Sequence, residues 1–214
     1  MNKILILLIT VFCSTVSIAQ EKKENDKKPI PIAKSFVTTH QGSFGGVTIK
    51  YKATASETYL TDSDGIPVAS IWSTAYTKDN VSDTSKRPVT FVFNGGPGSA
   101  SVWLHMGLFG PQLVKVDSDA KEDDGAAPFE LVTNNYGILD LTDLVFIDPV
   151  GTGYSRVIGK GKVEDYWGLM EDANSVAKFM RQWITENKRW NSPKYMAGES
   201  YGTTRAAAVA NVLE

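Results

Sequence analysis

Cysteine and histidine are scarce in this chain, and no apolar run outside its first twenty residues is long. One cysteine, Cys13, and two histidines, His40 and His105, stand in 214 residues. Cys13 falls inside the N-terminal apolar segment, so the rest of the chain has no disulfide, no thiolate metal site and no cysteine nucleophile. Neither G-x-G-x-x-G nor G-x-x-x-x-G-K-[ST] occurs, which leaves nucleotide binding without support. The net charge is −2 and the pI about 5.8, so neither nucleic acid nor an anionic membrane surface is favoured as a partner. No internal repeat is visible, and no cofactor or metal is implied.

What is present begins with a targeting pattern. Lys3, the apolar stretch Ile4–Phe12 and the small residues at Ser17 and Ala19 have the layout of a signal peptide over residues 1–19. The apolar stretch is shorter than the roughly 20 residues a membrane-spanning helix needs. Two rival readings are a retained anchor and a lipoprotein signal at Cys13. Phe12 is bulkier than lipoprotein processing usually accepts. Export to the periplasm or extracellular space is therefore expected, with no stable membrane association once the signal is cleaved. The charged, proline-ended run QEKKENDKKPIP opens a flexible linker read over residues 20–42. His40 falls in it and has no evident role. A folded domain is expected over residues 43–214, with its first signals near Gly45.

Within that domain, Val47, Ile49 and Tyr51 alternate with polar residues, and Ile66–Tyr76 is rich in β-branched and aromatic residues. Thr61–Gly65 between them is turn chemistry, which predicts an antiparallel hairpin. Val89–Phe93, Leu144–Ile147 and Lys194–Ala197 are short apolar runs of the kind found in strands buried on both faces. Residues 111–127, rich in Asp and Gly, read as a surface excursion. Ala173, Val176, Ala177, Met180, Trp183 and Ile184 recur at helical spacing, and Thr203–Leu213 is alanine-rich and helical. Strands alternating with helices imply a largely parallel, doubly wound α/β sheet.

Two segments carry chemistry. Tyr195–Thr204 reads YMAGESYGTT and fits the nucleophile elbow G-x-S-x-G, with Ser200 between Gly198 and Gly202 and an apolar strand before it. A tight strand-to-helix turn lifts the serine oxygen clear of the backbone, where a base can take its proton. Phe91–Ser101 reads FVFNGGPGSAS, and its Gly-Gly-Pro-Gly turn follows an apolar strand, where such a hydrolase builds its oxyanion hole. Tyr201, the residue after the nucleophile, is expected to give one N–H donor. Gly95 or Gly96 would give the other, their missing side chains letting substrate approach. The order of strands, glycine turn and serine is that of an α/β-hydrolase.

Three ordered motifs, FNGGPGSAS, FIDPVGTGYSR (Phe146–Arg156) and AGESYG (Ala197–Gly202), together resemble the serine carboxypeptidases, the bacterial exported members most of all. The resemblance covers roughly residues 88–213 and implies the α/β-hydrolase fold. It implies that Ser200 is the acylated nucleophile, that Gly96 and Tyr201 give the oxyanion N–H groups, and that Asn94 and Glu199 hold the free C-terminal carboxylate of a peptide. Glu199 suits that role only when protonated, because two carboxylates at contact repel. This fits the acidic optimum typical of the family. Two positions depart from the pattern. Val92 stands where many members have tryptophan, and Leu108 where they have glutamate, which thins the carboxylate clamp. Asp148 and Gly151–Gly153 read as turn residues that maintain the fold. His105 reads as a pocket or core residue, because the base of this fold comes last in chain order.

Fourteen residues follow Ser200, and none is Asp or His. The chain is therefore expected to be the N-terminal portion of a longer peptidase, with an incomplete α/β-hydrolase sheet, a nucleophile without its base, near-inert alone and prone to aggregate at strand Lys194–Ala197. The residues leave two alternatives open: a hydrolase of other specificity, such as a proline aminopeptidase or esterase, and a non-catalytic binding protein with a hydrolase surface.

Overall fold

The computed structural model describes residues 30–116, 127 and 129–214. The expected signal peptide, most of the charged run after it and the centre of the excursion after Pro111 lie outside the described residues.

The chain opens with three strands that run back and forth: β1 (Ser35–Phe44), β2 (Val47–Thr61) and β3 (Pro67–Lys78). Gly45 and Gly46, at φ 55° and 79°, turn β1 into β2. Asp62 folds the next turn, its Oδ1 accepting the amides of Asp64 and Ile66 at 2.9 Å each. The expected hairpin is thus present, with one more strand in front of it. The linker read as far as residue 42 is corrected here, because Ser35–Phe44 pairs in unbroken register with Val47–Ser56. The first seven side chains of β1 are exposed, so no apolar pattern marks it. His40 lies on this strand and stacks on Tyr51 at 5.5 Å between ring centroids.

Next come β4 (Val89–Phe93) and a short helix α1 (Val102–Leu104), which continues as a wider turn over His105–Phe109. The start of the expected excursion forms β5 (Gln112–Val114), which pairs with β6 (Leu131–Thr133) just past its end. Then follow β7 (Asp143–Ile147), β8 (Arg156–Val157), α2 (Leu169–Glu186), β9 (Lys194–Gly198) and α3 (Tyr201–Leu213). The main sheet has the order β1-β2-β3-β7-β4-β9, with β8 beside β3. The expectation of a largely parallel sheet is also corrected. Among the described residues only β4 with β7 and β4 with β9 are parallel in this sheet, while β1–β2, β2–β3, β3–β7 and β3–β8 are antiparallel. Tight turns join the first three strands, and only the long connections beyond them allow parallel crossovers.

Side chains of the central strands alternate between two cores. Val89, Phe91 and Phe93 of β4, with Val145 and Ile147 of β7, face α2 and α3. Val92, Leu144 and Phe146 face the other way, against Phe44, Ile49, Leu104 and Leu139. The six residues that define the apolar face of α2 are all buried in the first core, and Trp183 meets Phe91 edge to face at 5.6 Å. Burying side chains of this size contributes about 1.5–3 kcal/mol each. The two-sided core fixes where β4 and β9 end, and the site begins at those ends.

Candidate active site

β9 ends at Gly198 and α3 begins at Tyr201, so the chain must reverse in two residues. Ser200 caps α3 with φ 55° and ψ −125°, a conformation that costs a non-glycine residue on the order of 1–3 kcal/mol. The flanking glycines fit because the turn is closed tightly. A Cβ on Gly198 would lie 2.1 Å from the Gly202 carbonyl oxygen, and one on Gly202 would lie 2.8 Å from that of Phe93. Strain of this kind at the end of a parallel strand is what presents a serine oxygen.

The turn after β4 lies against this elbow. A Cβ on Gly95 would lie 2.5 Å from the Tyr201 amide nitrogen and 2.6 Å from the Glu199 oxygen. Gly96 has φ 107°, which favours glycine. Among the described residues neither the Gly96 nor the Tyr201 amide has an acceptor, so both N–H groups are free to serve a ligand. Asn94 is buried and its amide is fixed at both ends. The Leu104 N–H donates to Oδ1 at 3.0 Å, and Nδ2 donates to Glu199 Oε2 at 3.2 Å. Asn94, Gly96, Glu199 and Ser200 line one cavity of about 430 Å³, together with Ser99, Trp103 and Leu104. Ser200, Gly96 and an amide–carboxyl pair thus border a single space, while Tyr201 lines a second cavity with Pro97, Tyr166 and Trp167, a constellation suited to acyl transfer from a substrate with a polar end.

Residues 72–213 match the serine carboxypeptidase family model. The chain belongs to the serine carboxypeptidase family. The carboxypeptidase Y homolog of Arthroderma benhamiae is 31% identical over 118 residues, 55% of this chain and 21% of that protein. The retinoid-inducible serine carboxypeptidase of Homo sapiens is 27% identical over 140 residues, 64% of this chain and 27% of that protein. The chain spans about a quarter of the length of these curated relatives. Among solved structures, a prohormone-processing carboxypeptidase from Saccharomyces cerevisiae superposes with a TM-score of 0.55 at 21% identity, covering 75% of this chain and 34% of that one. The fold is that part of an α/β-hydrolase that runs through the nucleophile elbow.

The two departures from the serine carboxypeptidase pattern have structural places. Val92 is fully buried in the core beneath the glycine turn. Leu108 lies on a neighbouring groove of about 660 Å³ that Glu199 and Ser200 also border. Asp148 directly follows β7 and accepts the Ser101 N–H at 2.9 Å, tying the end of that strand to the segment after the glycine turn. Burial raises its carboxyl above the usual range, against the lowering effect of backbone donors at Ser101 and Tyr154. A Cβ on Gly153 would lie 2.1 Å from Asp148 Oδ2, so the turn closes on that carboxyl. Sequence reasoning missed Trp103 and the buried pair Arg205–Asp172, in which Arg205 Nε donates to Asp172 Oδ2 at 2.7 Å. A lone cation in an alanine-rich helix, four residues from Tyr201 and so on the same face, was the available signal for Arg205.

His105 stands apart from Ser200. Its Nε2 lies 2.8 Å from the Tyr76 hydroxyl and its ring stacks on Phe146 at 4.3 Å. Burial lowers its pKa to about 4 and pushes the Tyr76 phenol up to about 12. The unfolded chain therefore binds a proton on His105 over a pH range where the folded chain does not. The stabilisation is full above pH about 6.5 and is lost as pH falls toward 4, amounting to no more than about 3 kcal/mol. Asp148, on the same cavity as His105, titrates in the opposite sense, so a difference measurement is needed. The stability gap between the wild type and His105→Gln is expected to shrink as pH falls from 6.5 to 4 in urea titrations. A gap independent of pH would show that the imidazole titrates freely.

Proposed function

We propose that this chain carries the nucleophile, oxyanion and carboxylate-binding portion of a serine-type carboxypeptidase, which releases C-terminal residues from peptides through an acyl-enzyme on Ser200. The supporting observation is the single cavity that holds Ser200, Gly96, Asn94 and Glu199. The Ser200 oxygen bonds to the last peptide carbonyl carbon while Gly96 and Tyr201 amides receive the developing negative charge. The C–N bond then breaks, and the serine proton passes through a base to the leaving amine. Water hydrolyses the ester and restores the serine. Neither His40 nor His105 lines this cavity, so neither is placed to act as that base.

The leaving residue lies toward Asn94 and Glu199. The acyl side of the peptide lies toward a second cavity of about 500 Å³, lined by Pro97, Tyr166, Trp167 and Tyr201 among others. Peptides with a free C-terminus are the proposed partners, and an exported location goes with the signal-peptide pattern of residues 1–19.

Val92 and Leu108 favour one rival, a hydrolase that makes no use of a terminal carboxylate. The discriminating experiment gives the full-length protein an N-blocked dipeptide as free acid, amide and methyl ester. The carboxypeptidase reading expects kcat/KM at acidic pH to be at least tenfold higher for the acid than for the amide. It also expects Glu199→Ala to lower activity on the acid more than on the methyl ester. Ester cleavage with the acid no better than the amide would favour the rival, and Ser200→Ala must be silent toward a fluorophosphonate probe in either case.

A further inference from the structure

Arg205 is the largest fully buried side chain among the described residues, 1% exposed, and it is charged. Its Nε donates to Asp172 on α2 at 2.7 Å, and its Nη1 donates to the Asn94 carbonyl at 2.5 Å. The guanidinium lies 5.1 Å from the Tyr201 ring centroid and 5.5 Å from that of Phe93. Burial raises the Asp172 carboxyl, and the Arg205 charge and hydrogen bond oppose that rise. A buried ion pair is a poor way to gain stability, since apolar residues of similar volume often do as well or better. What this pair adds is a fixed geometry between three separate pieces of chain.

Those pieces are the ones that must be in register. The Asn94 carbonyl lies immediately before Gly95 and Gly96, and Tyr201 directly follows Ser200. We propose that Arg205, neutralised by Asp172, is a positioning residue that clamps the glycine turn to the nucleophile elbow and so holds the two oxyanion amides at a fixed spacing. This rests on the acyl-transfer reading above. Arg205 and Asp172 border the second cavity of about 500 Å³, but at 1% exposed Arg205 offers a peptide there almost no surface. It acts through the Asn94 backbone and the Tyr201 ring, and its loss loosens the hole without emptying it.

The test uses the full-length protein, an N-blocked Phe-Leu dipeptide, its methyl ester, and a peptide aldehyde that adds Ser200 as a hemiacetal. Arg205→Met is expected to lower kcat about a hundredfold on both substrates, on the scale of losing one oxyanion donor, with KM changed less than about threefold. Aldehyde affinity should weaken in the same proportion. Arg205→Lys, which keeps one donor direction, should recover part of the loss, and Asp172→Asn should fall between. Should Arg205→Met fail to fold, the latter two carry the test. Variants with native near-UV circular dichroism that keep kcat and aldehyde affinity overturn the proposal. So does a loss confined to KM for the free acid, which would place the effect on the carboxylate site. A wild type inert toward both substrates and the fluorophosphonate overturns the acyl-transfer reading and this inference with it, whereas an active wild type with indifferent variants overturns this inference alone.

Discussion

Replacing Asp143 with alanine is expected to lower the unfolding free energy by about 3–5 kcal/mol, the usual penalty for breaking a buried ion pair from one side. Asp143 is 1% exposed at the start of β7. Its Oδ1 accepts Arg87 Nε at 2.7 Å and the Lys78 amide at 2.9 Å, and its Oδ2 accepts Arg189. Both arginines are themselves buried and continue inward, Arg87 to the Leu139 carbonyl at 2.7 Å and Arg189 to the Arg87 carbonyl at 2.7 Å. Removing the one carboxylate leaves two guanidinium groups facing each other in a dry site. A domain with a total stability of about 5–15 kcal/mol loses a large part of it in that way. Thermal unfolding should show a midpoint lower by roughly 6–20 °C for a chain of this size. Asp79→Asn, which breaks only the exposed pair with Lys52, should move the midpoint little. If the two variants proved alike, the Asp143 network would be ornament.

The same network shows how stability and chemistry are separated along the strands. Val89, Asp143 and Lys194, the first residues of β4, β7 and β9, lie in register at one end of the parallel part of the sheet. The glycine turn after Phe93 and the elbow after Gly198 lie at the other. Asp143 variants should therefore lose folded fraction, while kcat per folded molecule stays close to wild type.

What could be read from the sequence follows from how far each signal travels along the chain. β4, β7 and β9 are legible because burial on both faces leaves a run of apolar letters, and α2 is legible because its six core residues repeat at helical spacing. β1 leaves no such trace, since its first seven side chains meet solvent and backbone pairing with β2 asks nothing of their polarity. Ser200, Gly95 and Gly96 stand out because an elbow and a glycine turn are local motifs, each within a few residues, whereas Asn94 and Glu199 enter the candidate site only through the resemblance of the three ordered motifs. Arg205 is not legible. Its meaning depends on Asp172, 33 residues back, and on Asn94, 111 residues back, and no spacing rule links them. The Asp143 network fails for the same reason: partners 46 and 56 residues away meet only after the sheet has formed.

Gly95→Ala should be the most damaging single methyl group in the site, lowering kcat/KM by about a thousandfold while the chain still folds. The position has no positive φ to defend, so the penalty arises from contact. The added carbon would lie 2.5 Å from the Tyr201 nitrogen, 2.6 Å from the Glu199 oxygen and 2.8 Å from the Gly202 nitrogen, all of them backbone atoms that cannot swing aside. The elbow cannot yield easily, because Gly198 and Gly202 already close on each other and Ser200 is already strained. The glycine turn must therefore move, taking Gly96 away from Tyr201. Each oxyanion donor is worth about 10²–10³ in kcat, whereas overpacking of this kind costs about 1–3 kcal/mol of stability. Activity should thus fall far more than the thermal midpoint, and labelling by a fluorophosphonate should slow in step with peptide hydrolysis. Gly107→Ala, where a Cβ meets nothing within 4 Å, is the matched control and should leave both unchanged. If Gly95→Ala kept full activity, the reading of Gly96 and Tyr201 as the pair that stabilises the transition state would be overturned, because backbone contacts this close force the turn to shift.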